Sequence, residues 1–289
     1  MQQDNQDGSK TNLYALKMSD QLFENFSAFI YDKLGIHLSH AKKLMLQSRL
    51  AKRLRQLNMN SFEEYFKYVS SEKGLKNEMA EMVNVVTTNK TDFFREPKHF
   101  EYLSTIVLPE FYQRSRYRRF NIWSAGCSIG AEPYTLAMVL NEFSENNPGF
   151  SFTIFSSDIS TKVLNTAITA IYDHQMAEPI PMQLRKKYLL KSKDKNSPRF
   201  VRITPELRRL VHFKQLNLMA DEYDMYDEMD VIFCRNVIIY FDRQTQERVI
   251  NHLCHHLKPG GYLFMGHSET LNMLSVPIKN VSSTVYRKK

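Results

Sequence analysis

The chain has 289 residues, 43% of them hydrophobic and 24% charged, and a formal net charge of +8. No apolar run approaches the roughly 18 residues of a membrane helix. The polar start MQQDNQDGSK lacks the apolar core of a signal peptide, and Cys127, Cys234 and Cys254 show no paired spacing, which suits a reducing cytoplasm rather than a disulfide framework. The length favours two domains. The basic balance reads either as plain solubility or as a sign of a polyanionic partner: nucleic acid, a membrane surface or an acidic protein.

Residues 1–17 read as a disordered tail, and residues 18–86 as an all-α domain. Leu22, Phe23, Phe26, Phe29 and Ile30 recur at helical spacing. Ser39 is placed to cap a second helix with Leu46, Leu50, Leu54 and Leu57 on one stripe. Ser61 and Glu64 form a capping box for a third helix, and Met79, Met82, Val83 and Val86 mark a fourth. The second helix carries Lys42, Lys43, Arg49, Lys52, Arg53 and Arg55 and no acid. At 3.6 residues per turn, Lys42, Arg49 and Arg53 fall within about 40° of one another, with Lys52 adjacent. Such a ridge is a solvated face or a docking surface for an acidic partner.

The stretch TTNKTDFFREPKHF, Thr87 to Phe100, crowds Asn89, Thr91, Asp92 and Arg95 against two phenylalanines, and its Pro97 suits the first turn of a new helix. It reads as a connector, residues 87–99, that takes part in chemistry. A helix is expected from Phe100 to Arg114. Beyond it, strands alternate with helices: strands at Phe120–Ser124, Phe152–Ser157, Val231–Cys234 and Tyr262–Met265, and helices at Ala131–Phe143, Ser160–Ala170 and from Asp242 to about Leu257. Lys258-Pro259-Gly260-Gly261 reads as a turn. This rhythm predicts an α/β fold, a parallel sheet with helices on both faces. Residues 172–216 break it and read as an insertion with two short strands, Phe200–Ile203 and Val211–Phe213.

Three segments could carry chemistry. IWSAGCSIGAEPYTLAM runs a strand through Gly126 and Gly130 into a helix, so its backbone can turn tightly and approach a ligand. It lacks the full G-x-G-x-x-G of dinucleotide enzymes, and by itself a structural turn explains it as well. In FSSDIS, Asp158 ends the next strand, where an acid can accept both hydroxyls of a ribose or cap a helix. FCRNVIIYFD ends a later strand but lacks the Pro-Pro-Tyr pattern of nitrogen methyltransferases on nucleic acid; Asn236 and Tyr240 there are site residues or satisfied core groups. His252, Cys254, His255 and His256 share a helix with no nearby acid to complete a ligand set, and no metal is expected.

TTNKTDFFREPKHF, WSAGCSIGAEPYTLA, SDIS, LNL, FCRNVIIYFD and GYLFMGHSE occur in one order. With them the chain, from about residue 18, resembles CheR, the chemoreceptor protein-glutamate O-methyltransferase family of bacterial chemotaxis. The resemblance implies a Rossmann-like S-adenosylmethionine (SAM) domain over residues 100–289, with the 172–216 insertion as a small β subdomain. It places Asn89, Thr91 and Arg95 in the cofactor site and Glu132 after the glycine turn. It puts Asp158 on the ribose, Asn217 and Leu218 beside the adenine, Asn236 and Val237 closing the site, and Tyr240 near methyl transfer. Arg95 and Tyr240 are then the catalytic candidates. A glutamate carboxylate would attack the sulfonium methyl in line, releasing S-adenosylhomocysteine, with no general base needed. Phe93 and Phe94 would anchor the connector between domains. Lys42, Arg49, Lys52 and Arg53 would dock on the acidic helical hairpins of chemoreceptors. The implied protein is a cytoplasmic monomer that neither binds nucleic acid nor inserts into membrane. Ala131 and Ile129 depart from the family pattern, which usually has an acid and a small hydroxyl residue there. LLKSKDKNSPRF lacks the glycine of the loop that grips a receptor tether in some members, which points to a tether-independent enzyme. The alternatives are another SAM-dependent methyltransferase or a binding module without turnover.

Overall fold

The computed structural model describes residues 16–115, 118–192, 199–225 and 228–289. The chain forms two compact units, Met1–Thr87 and Thr88–Lys289. The predicted tail falls almost wholly outside the described residues.

The first unit is all helix. Helix α1, Asp20–Leu34, is capped by the Ser19 hydroxyl, which accepts the Leu22 N–H, and ends at Gly35 with φ 68°. It buries Leu22, Phe23, Phe26, Ile30 and Leu34. Ser39 does not cap a helix with its side chain; a 3₁₀ turn, His40–Lys42, leads into α2, Lys43–Leu57, whose Leu46, Leu50 and Leu54 are fully buried. The Ser61–Glu64 box forms at the start of α3, Phe62–Val69: Ser61 Oγ accepts the Glu64 N–H at 3.0 Å, and the Glu64 carboxylate reaches back to the Asn60 N–H. The last segment is two helices, α4 (Glu72–Asn77) and α5 (Met79–Val86), where the sequence marked one. Glu78 between them is buried, and its carboxylate takes both Nε and Nη2 of Arg53, at 2.6 and 2.7 Å, and the Tyr65 hydroxyl.

The second unit opens with α6 (Pro97–Tyr102), a π-helical turn (Leu103–Val107) and α7 (Leu108–Arg114). The expected single helix carries this bulge because Pro109 has no N–H for the bond to Thr105, and the Leu108 N–H reaches Leu103 instead. There follow β1 (Phe120–Ala125), α8 (Ala131–Asn146), β2 (Phe152–Asp158), α9 (Thr161–Thr169), β3 (Ile171–Asp173), α10 (Met182–Tyr188), β4 (Leu189–Lys191), β5 (Phe200–Ile203), α11 (Pro205–Arg208) and β6 (Val211–Gln215). The chain ends with β7 (Met229–Cys234), α12 (Arg243–His255), β8 (Leu257–Met265), β9 (Ile278–Ser282) and β10 (Val285–Lys288).

The main sheet has seven strands in the order β6-β2-β1-β7-β8-β10-β9. From β6 to β8 the neighbours are parallel, and β10 runs antiparallel to both β8 and β9. Side chains alternate along each strand. In β7, Val231 and Phe233 join one core with Phe100, Leu103 and Phe111, while Ile232 and Cys234 join the other with Val249, Ile250 and Leu253 of α12. Helices therefore cover both faces, and the fold is the Rossmann-like α/β arrangement expected.

The sheets correct further readings of the sequence. The strand at Val211 is not part of the inserted sheet: it pairs with β2 at the edge of the main one. The inserted three-stranded sheet is β3-β5-β4. Lys258 to Gly261 is the irregular first half of β8 rather than a turn, with a register shift against β7. All three cysteines are buried and free.

Candidate functional site

The strand order reverses where β1, the first strand, meets β7 on one side and β2 on the other. In an open parallel sheet a crevice forms beyond the carboxyl ends at that point. The predicted motifs end there. After β1 the chain turns through Gly126 (φ 81°), Ser128 (φ 51°) and Gly130 (φ 92°) into α8. The N–H groups of Gly126 and Cys127 both reach the carbonyl of Ser157, which clips the turn to the end of β2. A Cβ on Gly126 would stand 2.4 Å from a methyl of Val237, and one on Gly130 would meet Ala167 and the Tyr172 hydroxyl. The turn therefore needs both glycines.

Asp158 holds the turn from below. Its Oδ2 accepts the Ser128 N–H and its Oδ1 the Ser160 N–H, each at 2.9 Å. Burial raises its pKa, and these backbone bonds oppose the rise. It is not the cap of α9; Ser160 is. The Ile159 N–H adds a third backbone bond to the carboxylate, and a carboxylate with about four lone pairs can still accept from a ligand hydroxyl. Beside it the chain leaves β6: the Leu216 N–H reaches the Asp158 carbonyl, Asn217 Oδ1 accepts the Met219 N–H, and Leu218 is buried.

The segment predicted as a connector, apart from Thr87, belongs to the second unit. Phe93 sits in that unit's core, edge-on to Tyr172, and Phe94 lies edge-on to Phe100, so both rings anchor it there. Asn89 gives its carbonyl to Ser128 Oγ at 3.0 Å, which ties the segment to the glycine turn. Arg95 donates to the Lys90 carbonyl at 3.1 Å, closing a short loop that carries half-buried Thr91. Glu132, in the first turn of α8, accepts the Ser124 hydroxyl at 2.6 Å. Burial pushes its carboxyl up, while Arg235, Ser124 and Arg95 pull it back.

Arg235 was not foreseen as a site residue. It is 6% exposed. Its Nη2 lies 3.3 Å from Glu96 and donates to the Arg95 carbonyl, and its Nη1 lies 3.4 Å from Glu132. It also lies over the rings of Phe100 and Phe233. It locks the Arg95 loop to β7. The Cys-Arg-Asn motif was the available signal, but only the fold shows that its arginine points inward. Glu269 was missed too; its carboxylate binds the backbone around Asn236. Asn236 has φ 59°, Val237 packs toward Gly126, and Tyr240 is half-buried in the next 3₁₀ turn.

Ala131 is fully buried and Ile129 packs against the same core, so both departures from the family pattern are apolar packing positions. Among the described residues, Glu96, His99 and His267 bring ligand atoms within 4.8 Å of one another. The cation that Glu96 needs is already present in Arg235, and we assign no metal there. His252, His255 and His256 are not part of that group.

In the first unit the four basic residues of the predicted docking ridge divide. Arg53 is held by Glu78, and Arg49 donates to the carbonyls of Val85, Val86 and Thr87 at the end of α5. Lys52 is exposed and Lys42 half-buried, and exposed Arg55 lies on the same helix.

Comparison with known proteins gives matches over both units. Residues 21–87 match the all-alpha domain of CheR methyltransferases, and residues 89–287 match the CheR methyltransferase SAM-binding domain. A chemotaxis protein methyltransferase of Borreliella burgdorferi is 38% identical over 271 residues, 92% of this chain and 94% of that one. Chemotaxis protein methyltransferase 2 of Pseudomonas aeruginosa is 39% identical over 265 residues, 91% of each chain. A chemotaxis protein methyltransferase of Escherichia coli is 37% identical over 271 residues, 94% of this chain and 92% of that one. The second unit is thus a SAM-binding methyltransferase domain.

Proposed function

The chain belongs to the CheR methyltransferase family, and from that premise we propose that it methylates glutamate side chains of methyl-accepting chemotaxis receptors. The products are glutamyl methyl esters and S-adenosylhomocysteine. The observation that carries the reading is the meeting of Asp158, Glu132 and the Arg95 loop at one switch point.

The residues fit the cofactor. Asp158, at the carboxyl end of β2 beside the glycine turn, would take the ribose hydroxyls. Asn217 and Leu218, just past β6, would border the adenine, and Asn236 and Val237 would form another wall. Asn89 and Thr91 of the connector segment would line one side, and half-buried Glu132 would serve the amino acid end. Bound SAM supplies an electrophilic methyl group. The receptor glutamate, with a reference pKa of about 4.3, is ionised at neutral pH, so no residue has to act as a base. The work left to the protein is alignment and exclusion of water. Arg95 addresses a carboxylate, as a guanidinium fork does better than an ammonium, and Tyr240 stands near the transfer. Lys52 and Arg55 on α2, with Lys42 in the turn before it, meet the acidic receptor helices of the cytoplasm. Arg49 and Arg53 contribute through the integrity of the first unit.

The test is to mix the purified protein with tritiated SAM and membranes holding the host's chemoreceptors. Label released by mild alkali as methanol supports glutamyl esters. Alkali-stable label, or none despite cofactor binding, refutes them.

A further inference from the structure

Glu269 has no role in the site as described so far, yet it is 3% exposed and sits at its edge. Its Oε1 accepts the N–H groups of Val237 and Ile238, each at 2.8 Å. Its Oε2 accepts those of Asn236 and Gly266, each at 2.7 Å. Three of these donors are consecutive and begin at Asn236, whose φ is left-handed. Successive N–H groups around a left-handed residue make a concavity that binds an anion. Here the anion is the protein's own side chain. The fourth donor lies at the end of β8, so one carboxylate joins the carboxyl ends of β7 and β8.

The same segment is braced from two other directions. The Asn236 amide lies against Gly266, where an added Cβ would come within 2.5 Å of Nδ2. Val237 lies against Gly126 on the far side. The segment is therefore placed by Glu269 and confined by two glycines. Ionised carboxylate alone fits this demand, since it offers two oxygens, each with two lone pairs. Glutamine keeps one such oxygen and turns an N–H₂ toward the other pair of donors. Burial pushes the Glu269 carboxyl up, and the four N–H groups hold it back.

We propose that Glu269 is a positioning residue for methyl transfer: it fixes the Asn236–Val237 wall of the cofactor site without touching the cofactor. This rests on the cofactor reading of the site. The experiment is titration of full-length protein with S-adenosylhomocysteine, followed by steady-state methylation with varied SAM, for the wild type and E269Q. Failure of the wild type to bind would sink the reading of the site rather than the role of Glu269. With binding in the wild type, E269Q is expected to raise Kd and KM at least about tenfold while kcat at saturating SAM stays within about threefold. Far-UV circular dichroism and the melting transition confirm that the variant is folded. A folded E269Q with Kd within twofold of wild type overturns the proposal, as does a loss confined to kcat. Should E269Q not fold, E269D takes its place under the same criteria: it keeps the charge but is one methylene too short to reach both strand ends.

Discussion

Arg53→Met separates the two roles that the sequence allowed for this arginine. Its guanidinium forks Glu78, whose side chain is 2% exposed, and the Tyr65 hydroxyl is the carboxylate's other partner. Removing one member of a buried ion pair costs about 3–5 kcal/mol, because the other charge is left in low dielectric. Arg53 itself is 15% exposed, so water can partly replace it, and the lower figure of about 3 kcal/mol applies. For a unit of this size each kcal/mol moves the midpoint by about 4–8 °C, so the first unit's transition should fall by about 12 °C or more. Calorimetry on the full chain reads this directly, and cofactor titration should show the second unit unchanged. Removing both charges with Arg53→Met and Glu78→Leu should recover much of the loss, since the desolvated charge is gone. A loss under about 1 kcal/mol, with methylation of receptors abolished, would refute the structural role and return Arg53 to a docking surface.

Other outcomes follow from the site. Asp158→Asn should weaken S-adenosylhomocysteine binding about 100-fold by calorimetry, from about 3 kcal/mol of charge-assisted hydrogen bonds. Arg95→Ala should lower methyl transfer about 100-fold in kcat with the fold intact; near-normal turnover would remove it from the chemistry. Lys52→Glu should slow receptor methylation, and salt should slow the wild type more than the variant, because exposed charges are screened beyond about 10 Å at 0.1 M. His99 gives a pH dependence. Burial, then Arg235 and His267, lowers its pKa from 6.5 to about 4, with Glu96 opposing. The native state stays neutral while the unfolded chain takes a proton, so stability is full above pH 6.5 and falls toward pH 4. The span is about 3 kcal/mol. Denaturation midpoints for His99→Gln should show a flatter slope in that window.

Much of this was legible because it is local. Short apolar runs broken by a glycine turn or by polar residues marked β1, β2 and β7, and Asp158 and Asn236 stand where the latter two runs end. Other features depend on partners far along the chain. Val211 to Gln215 reads as a strand, but nothing local says that it joins β2 rather than the inserted sheet. The β9–β10 hairpin at the end of the chain was invisible, since Lys279, Asn280 and Val281 of β9 are exposed and leave no apolar alternation. Arg53 looked like part of a basic ridge because Glu78 lies 25 residues away. Arg235 and Glu269 are buried charges, and only a closed fold shows which donors and acceptors they satisfy.

The most direct test is mass mapping of a purified receptor cytoplasmic fragment after incubation with the enzyme and SAM. The account predicts added methyl groups on glutamate side chains only, removed by mild base, and strongly reduced with Asp158→Asn at subsaturating SAM. Methyl groups on lysine, arginine or a nucleic acid, or none on a receptor the enzyme binds, would contradict it.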